Sequence, residues 1–223
     1  MRMSSPRIFL IHALPDSVAP AKAAMAAGWP QARVANLLDD SLSSDLAARH
    51  GVLEDSIVER FLTLGRYARS CGADGILFTC SAFGAAIDAV KTDLRSLPVL
   101  KPNEAALETA LDAGRRIALL ASFPATIPSM THELEMLARA HGVVPTIMTR
   151  VVEGALAALQ SGDGGRHDRL IAEAAATFAG ADAIVLTQFS MARAAVAIPP
   201  GRARLVTTPD SAVAKLRRLV EGR

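Results

Sequence analysis

Aromatic residues are scarce in this chain: one Trp, one Tyr and seven Phe among 223 residues. So few rings leave no stacking platform for nucleic-acid bases. Charge offers no other route, since 24 Lys and Arg against 22 Asp and Glu give a net charge of only +2. The densest basic runs, Lys215-Leu216-Arg217-Arg218 and Arg202-Ala203-Arg204, read as solvated ends of elements, so no nucleic-acid partner is expected. Cysteine is rarer still, and Cys71 with Cys80 makes no disulfide framework. No apolar run reaches the roughly 18 to 20 residues of a membrane helix, so no membrane partner is expected. Arginines before Ile8-Phe9-Leu10-Ile11 resemble the start of a signal peptide. The apolar stretch is too short, however, and His12, Pro15 and Asp16 interrupt it, so it reads as a first strand. A cytoplasmic location is the simplest expectation.

Several motifs are also missing. There is no GxxxxGK[ST], and no GxGxxG after a strand. No GxSxG elbow occurs. The five histidines are scattered without metal-ligand spacing. These absences leave no sign of nucleotide, metal or serine-hydrolase chemistry. The Ser161-Gly162-Asp163-Gly164-Gly165 stretch reads as a flexible loop.

What is present is a globular composition, 51% hydrophobic and 21% charged, long enough for one large or two small domains. It also contains a repeat. Gly72-Ala73-Asp74-Gly75-Ile76-Leu77-Phe78-Thr79-Cys80 returns as Gly180-Ala181-Asp182-Ala183-Ile184-Val185-Leu186-Thr187-Gln188. At nearly the same offset, Arg7-Ile8-Phe9-Leu10-Ile11 through Pro15 matches Arg116-Ile117-Ala118-Leu119-Leu120 through Pro124. Fixed-offset similarity marks an internal repeat, here too long for a solenoid unit. Two similar halves are expected, 1–98 with 207–223 and 99–206.

Strands are predicted at Arg7–His12, Arg33–Leu38, Gly75–Thr79, Val99–Lys101, Arg116–Ala121, Pro145–Arg150, Ala183–Thr187 and Arg204–Thr207. Several are apolar on successive residues, as parallel strands buried on both faces are. Helical stripes run from Leu53 to Cys71, stopping at Gly72, from Thr126 to His141, and from His167 to Ala179. Alternating β and α units give an α/β fold of two pseudo-symmetric, doubly wound parallel-sheet half-domains. Ligands in such sheets sit beyond the carboxyl ends of the strands. The site is expected between the halves.

Cys80 stands at such an end, before a helical pattern starting near Ser81-Ala82-Phe83. A helix dipole and free amides stabilise a thiolate, so a depressed pKa is expected. The Ser81 and Ala82 amides suit a substrate carboxylate. The competing reading is a small buried residue, which is how Cys71 reads. His12 and Asp16 flank the turn after the first strand and suit proton transfer or substrate orientation. Alternatively His12 is satisfied by backbone, and Asp16 begins a helix. Asp40 is a second-strand-end candidate, but it or Ser41 suits a helix cap. Ser122 and Thr126 offer hydroxyls and amides to an anion, or cap a helix beside Pro124. Gln188, Phe189 and Ser190 close the list of strand-end candidates.

With these residues in view the chain resembles the aspartate/glutamate racemase superfamily, which includes hydantoin racemases, maleate isomerases and arylmalonate decarboxylases. The resemblance covers nearly the whole chain. Ile76-Leu77-Phe78-Thr79-Cys80-Ser81-Ala82-Phe83-Gly84 carries it most sharply, supported by Pro98-Val99-Leu100-Lys101-Pro102-Asn103-Glu104 and Ile117-Ala118-Leu119-Leu120-Ala121. It implies two pseudo-symmetric halves, a site between them, no cofactor, a homodimer, and a cysteine from each half on opposite faces of a carbon next to a carboxylate. This chain keeps Cys80 but has Gln188 at the second cysteine position, and a carboxamide neither takes nor gives a proton as a thiol does. The resemblance implies a racemase or isomerase of a small acid, amino acid or hydantoin, with Cys80 as base or nucleophile. A single-cysteine decarboxylase or lyase is the runner-up. A thiol hydrolase using Cys80 and His12, and a non-catalytic carboxylate-binding protein, stay open.

Overall fold

A computed structural model describes residues 5–124 and 126–222. The chain forms two compact units, one of residues up to Pro102 together with Ala212 onward, the other Asn103–Ser211. In the first unit the elements are β1 (Arg7–His12), α1 (Val18–Gly28), β2 (Arg33–Leu38), α2 (Ser41–Ala48), α3 (Asp55–Ser70), β3 (Gly75–Phe78), α4 (Gly84–Asp93) and β4 (Val99–Leu100). All strands are parallel, in the order β2-β1-β3-β4. β4 thus belongs to the first sheet, where the repeat alone suggested a boundary after residue 98. The last helix is α9 (Thr208–Glu221); a Cβ added at Gly28 or Gly75 would come within 3.0 Å of its Val213 or Leu216 side chain.

The second unit holds α5 (Glu104–Ala113), β5 (Arg116–Ala121), α6 (Thr126–Ala140), β6 (Thr146–Val151), α7 (Ala155–Gln160), α8 (Gly164–Ala176), β7 (Ala183–Leu186) and β8 (Arg204–Thr207). Its parallel sheet runs β6-β5-β7-β8, the same order as the first. The repeat extends to single hydrogen bonds. The Asp74 carboxylate accepts the Arg7 N–H at 2.7 Å, and Asp182 accepts that of Arg116 at 2.9 Å. The Thr79 N–H donates to Ile11 O, and the Thr187 N–H to Leu120 O, each at 3.0 Å.

The unbroken apolar strands are explained by two-sided burial. In β5 and β7, Ala118, Leu120, Ile184 and Leu186 pack with Ile171, Ala174 and Ala175 of α8. Their alternates Ile117, Leu119, Ala183 and Val185 pack with α5 and α6 through Leu107, Met130 and Leu134. In the first unit Phe9, Ile11, Ile76 and Phe78 face α3 and α4. The ring of Phe61 lies 5.2 Å from that of Phe78 and 4.8 Å from that of Phe83. Burying each such ring contributes about 1.5–3 kcal/mol. Gly72 at φ 77° and Gly142 at φ 66° follow α3 and α6 in the left-handed region that ends a helix.

Two expectations fail locally. Gly164 and Gly165 are not loop but the first turn of α8, because the Asp163 carboxylate caps it by accepting the Arg166 N–H at 2.9 Å. The stripe starting at Leu53 becomes helical only at Asp55, since Glu54 is extended at ψ 157°.

Candidate active site

At the carboxyl end of β3, Cys80 is extended (φ −122°, ψ 120°) and opens a short 3-10 turn, Ser81–Phe83, that leads into α4. The residue as a whole is half-buried, with its thiol largely withdrawn from solvent. Burial pushes its pKa up, and the Ala82 N–H bonded to the sulfur opposes that only partly. The expected depression is therefore reversed. A three-residue 3-10 turn supplies little dipole at the sulfur, so desolvation of the thiolate outweighs the amide. Ser81 is half-buried and Ala82 exposed.

His12, at the end of β1, is fully buried and bonded through both ring nitrogens. Nε2 lies 3.1 Å from Asn36 Oδ1. Nδ1 lies 2.9 Å from Thr79 Oγ1 and 3.1 Å from Ser17 Oγ. Ser17 donates its own proton to Leu14 O at 2.7 Å. These partners fit a neutral ring with the proton on Nε2 and the Thr79 hydroxyl donating to Nδ1. Burial pushes the His12 pKa down, against a smaller opposing effect of the Asn36 bond. The ring is satisfied by side chains rather than by the backbone, and no bond joins it to Cys80, so a Cys–His nucleophile–base pair is not formed. It instead ties β1, β2 and the turn before α1 to Thr79, the residue preceding the cysteine.

Asp16 is exposed in the 3-10 turn Pro15–Ser17. Asp40 is also exposed and holds the N-cap position of α2 without a side-chain bond. Its neighbour Asp39 does the bonding. The Asp39 carboxylate accepts the Ser41 hydroxyl at 2.7 Å and pairs with Arg60, which also pairs with Asp45. Burial pushes the Asp39 pKa up, but Ser41 and the Arg60 guanidinium outweigh it and hold the carboxyl below its usual range.

In the second unit Gln188 takes the position Cys80 holds in the first. It is extended at the end of β7 (φ −127°, ψ 144°) and half-buried. Its Oε1 accepts the Ser122 N–H at 2.7 Å and the Ser122 hydroxyl at 3.0 Å. A backbone N–H is always a donor, so the contacting atom is the amide oxygen and the other end is the NH2 group. Gln188 thus presents donors only. Ser122 and Thr126 are both buried, and the Thr126 N–H bonds Phe123 O at 3.1 Å; Ala125 lies outside the described residues. Phe189 is buried in its own unit and Ser190 is half-buried. Leu14 and Phe123, matched in the repeat, both expose their side chains, at 44% and 49%. Among the described residues no group of three or more His, Cys, Asp or Glu is arranged to hold a metal ion, and no helix is long and apolar enough to cross a membrane.

The sequence reading named His12 but missed its partners Ser17, Asn36 and Thr79. Two of them carried a signal, since Thr79 recurs as Thr187 and Ser17 aligns with Thr126.

Two parallel sheets of one strand order, each with a polar residue of the repeat at its third strand's end, define a duplicated α/β fold. The chain belongs to the Asp/Glu/hydantoin racemase family, whose model matches residues 22–216. The family is mostly one of racemases, which supports an enzyme. Among solved structures it is similar to allantoin racemase from Klebsiella pneumoniae, with TM-score 0.71 and 20% identity over 97% of this chain and 88% of that one. A glutamate racemase from Bacillus anthracis aligns with TM-score 0.69 and 11% identity over 98% and 83% of the two chains. Arylmalonate decarboxylase aligns with TM-score 0.66 and 18% identity over 97% and 93%. No curated protein matches the chain in sequence.

Proposed function

We propose that this is a cofactor-independent racemase- or isomerase-type enzyme acting at the carbon next to a carboxylate of a small acid, amino acid or hydantoin. Cys80 is the base or nucleophile. The observation that carries this reading is the placement of Cys80 at the carboxyl end of β3 with the Ala82 N–H on its sulfur. A thiol with a raised pKa is a scarce but strong base as thiolate, which suits a weakly acidic carbon–hydrogen bond. The thiolate takes the α-proton, the electron pair moves into the adjacent carboxyl or carbonyl group, and hydrogen-bond donors hold the resulting enolate. Such a donor is worth about 3–4 kcal/mol where it is well placed. The Ser81 amide and the Thr126 hydroxyl are the candidate donors, since the Ala82 N–H is on the sulfur and both Ser122 donors are on Gln188. Gln188 gives the substrate a hydrogen bond and no proton.

That last feature favours a second reading. With one thiol available, carbon dioxide can replace the proton as leaving group, and Cys80 then protonates the carbanion. The resemblance of fold to arylmalonate decarboxylase agrees with this runner-up. A screen of small acids, both enantiomers of amino acids, hydantoins and malonates in deuterated water, followed by proton NMR, tests both. Loss of the α-proton signal supports the first reading, and release of carbon dioxide supports the second. Neither event with any compound in the wild type would count against an enzyme of this class.

A further inference from the structure

The segment that follows Gln188 is held by a cluster that the proposed chemistry does not use. Phe189–Ala197 is nine residues of 3-10 helix. Such runs are uncommon beyond three or four residues, because their hydrogen bonds are poorly aligned. Its first bond, from the Met191 N–H, ends on the carbonyl of Gln188 at 3.0 Å. Phe189, Met191 and Ala194 are buried, while Arg193 is exposed and reaches α8. Arg193 Nε donates to both oxygens of Asp168, at 2.9 and 3.2 Å. The same carboxylate bonds Nδ1 of the buried His167 at 2.8 Å. The guanidinium then lies against the backbone of Gly164. A Cβ at that position would meet Cζ at 2.6 Å and Nη1 at 2.7 Å, closer than real contacts allow.

We propose that Asp168 and Gly164 are positioning residues: together they seat Arg193, fix Phe189–Ala197 against α8, and so hold Gln188 on Ser122. A lone half-exposed ion pair is worth little. Here the carboxylate is oriented by a buried donor, and the cation rests on a surface that only glycine leaves open. Both restraints act on one guanidinium, so removing either releases the same segment.

The discriminating variant is Gly164→Ala. Gly164 opens α8, and alanine favours a helix over glycine, so α8 and the thermal midpoint should hold or improve. The guanidinium must nevertheless shift off its seat on Gly164. Amide exchange across 189–197 is then expected to quicken about two- to fivefold, the scale of an exposed ion pair. The Ser122 amide resonance should move, although it lies on a different loop, because Gln188 is its acceptor. Arg193→Ala should give the same pattern, and the double variant should be no worse than either single one. The kinetic consequence rests on the reading of Gln188 as a substrate contact. With an acid that exchanges its α-proton, KM should rise about three- to tenfold with kcat held. Unchanged exchange across 189–197 and an unmoved Ser122 resonance in Gly164→Ala would overturn the proposal. Those two signals need no substrate, so they decide it even if the catalytic reading fails.

Discussion

The pH dependence of Cys80 is the sharpest consequence of its surroundings. Burial raises its pKa above an ordinary value of 9.0, and one amide offsets this only in part. A thiol titrating at 9.0 is about 1% thiolate at pH 7, and one titrating higher has less. Alkylation of Cys80 by iodoacetamide should therefore run at less than about a hundredth of its limiting rate at pH 7. It should climb about tenfold per pH unit up to pH 9 and reach no plateau there. Folding stability follows the same sign. The contribution of the neutral thiol is complete below the unfolded-state pKa and is lost as pH rises through the higher native value. The assay is limited labelling from pH 6.5 to 9.5 with peptide mapping, which separates Cys80 from Cys71. A limiting rate already reached at pH 7 would show that the sulfur is not governed by desolvation and would refute the reasoning.

His12 should behave as a structural base: its native pKa lies below 6.5, so its stabilising effect is present above pH 6.5 and fades as pH falls through the native value. His12→Ala, by leaving Thr79 and Asn36 without their buried partner, should cost about 1–3 kcal/mol in denaturant unfolding at pH 7 and flatten that acid dependence. Gln188→Cys restores a second thiol at the repeat position and should raise racemisation about 10²-fold or more, measured on both enantiomers of the same acid.

Much of the fold can be read from the residues, because two-sided burial forces continuous apolar runs. Arg7–His12 and Arg116–Ala121 are such strands with the expected bounds; Arg33–Leu38 and Arg204–Thr207 also have the expected bounds, but as edge strands, and no residue of Arg33–Leu38 is buried. The duplication is visible for the same reason: Asp74 and Asp182 make equivalent backbone bonds, so both copies keep the same residue. Glycine misled at Gly164-Gly165, where one capping carboxylate outweighs two flexible residues. The position of Cys80 was legible, but the sign of its pKa shift was not. A strand-end cysteine before a helical pattern looks activated in sequence. Only the folded chain shows that the first turn is a short 3-10 segment and that the thiol is desolvated. Asp39 was overlooked in favour of Asp40 because the choice depends on Arg60, which lies on a helix distant in sequence. The same holds for His12, whose partners Asn36 and Thr79 come from β2 and from just beyond the end of β3.

The stereochemical course of exchange in deuterated water tests the central claim most directly. Single enantiomers of glutamate, aspartate and 5-substituted hydantoins would be followed by proton NMR and by chiral separation. If Cys80 is the one group that moves protons at carbon, the wild type should replace the α-proton with deuterium faster than it inverts the centre, and Cys80→Ser should do neither. Inversion that keeps pace with deuterium uptake in the wild type, or exchange that persists in Cys80→Ser, would contradict the account.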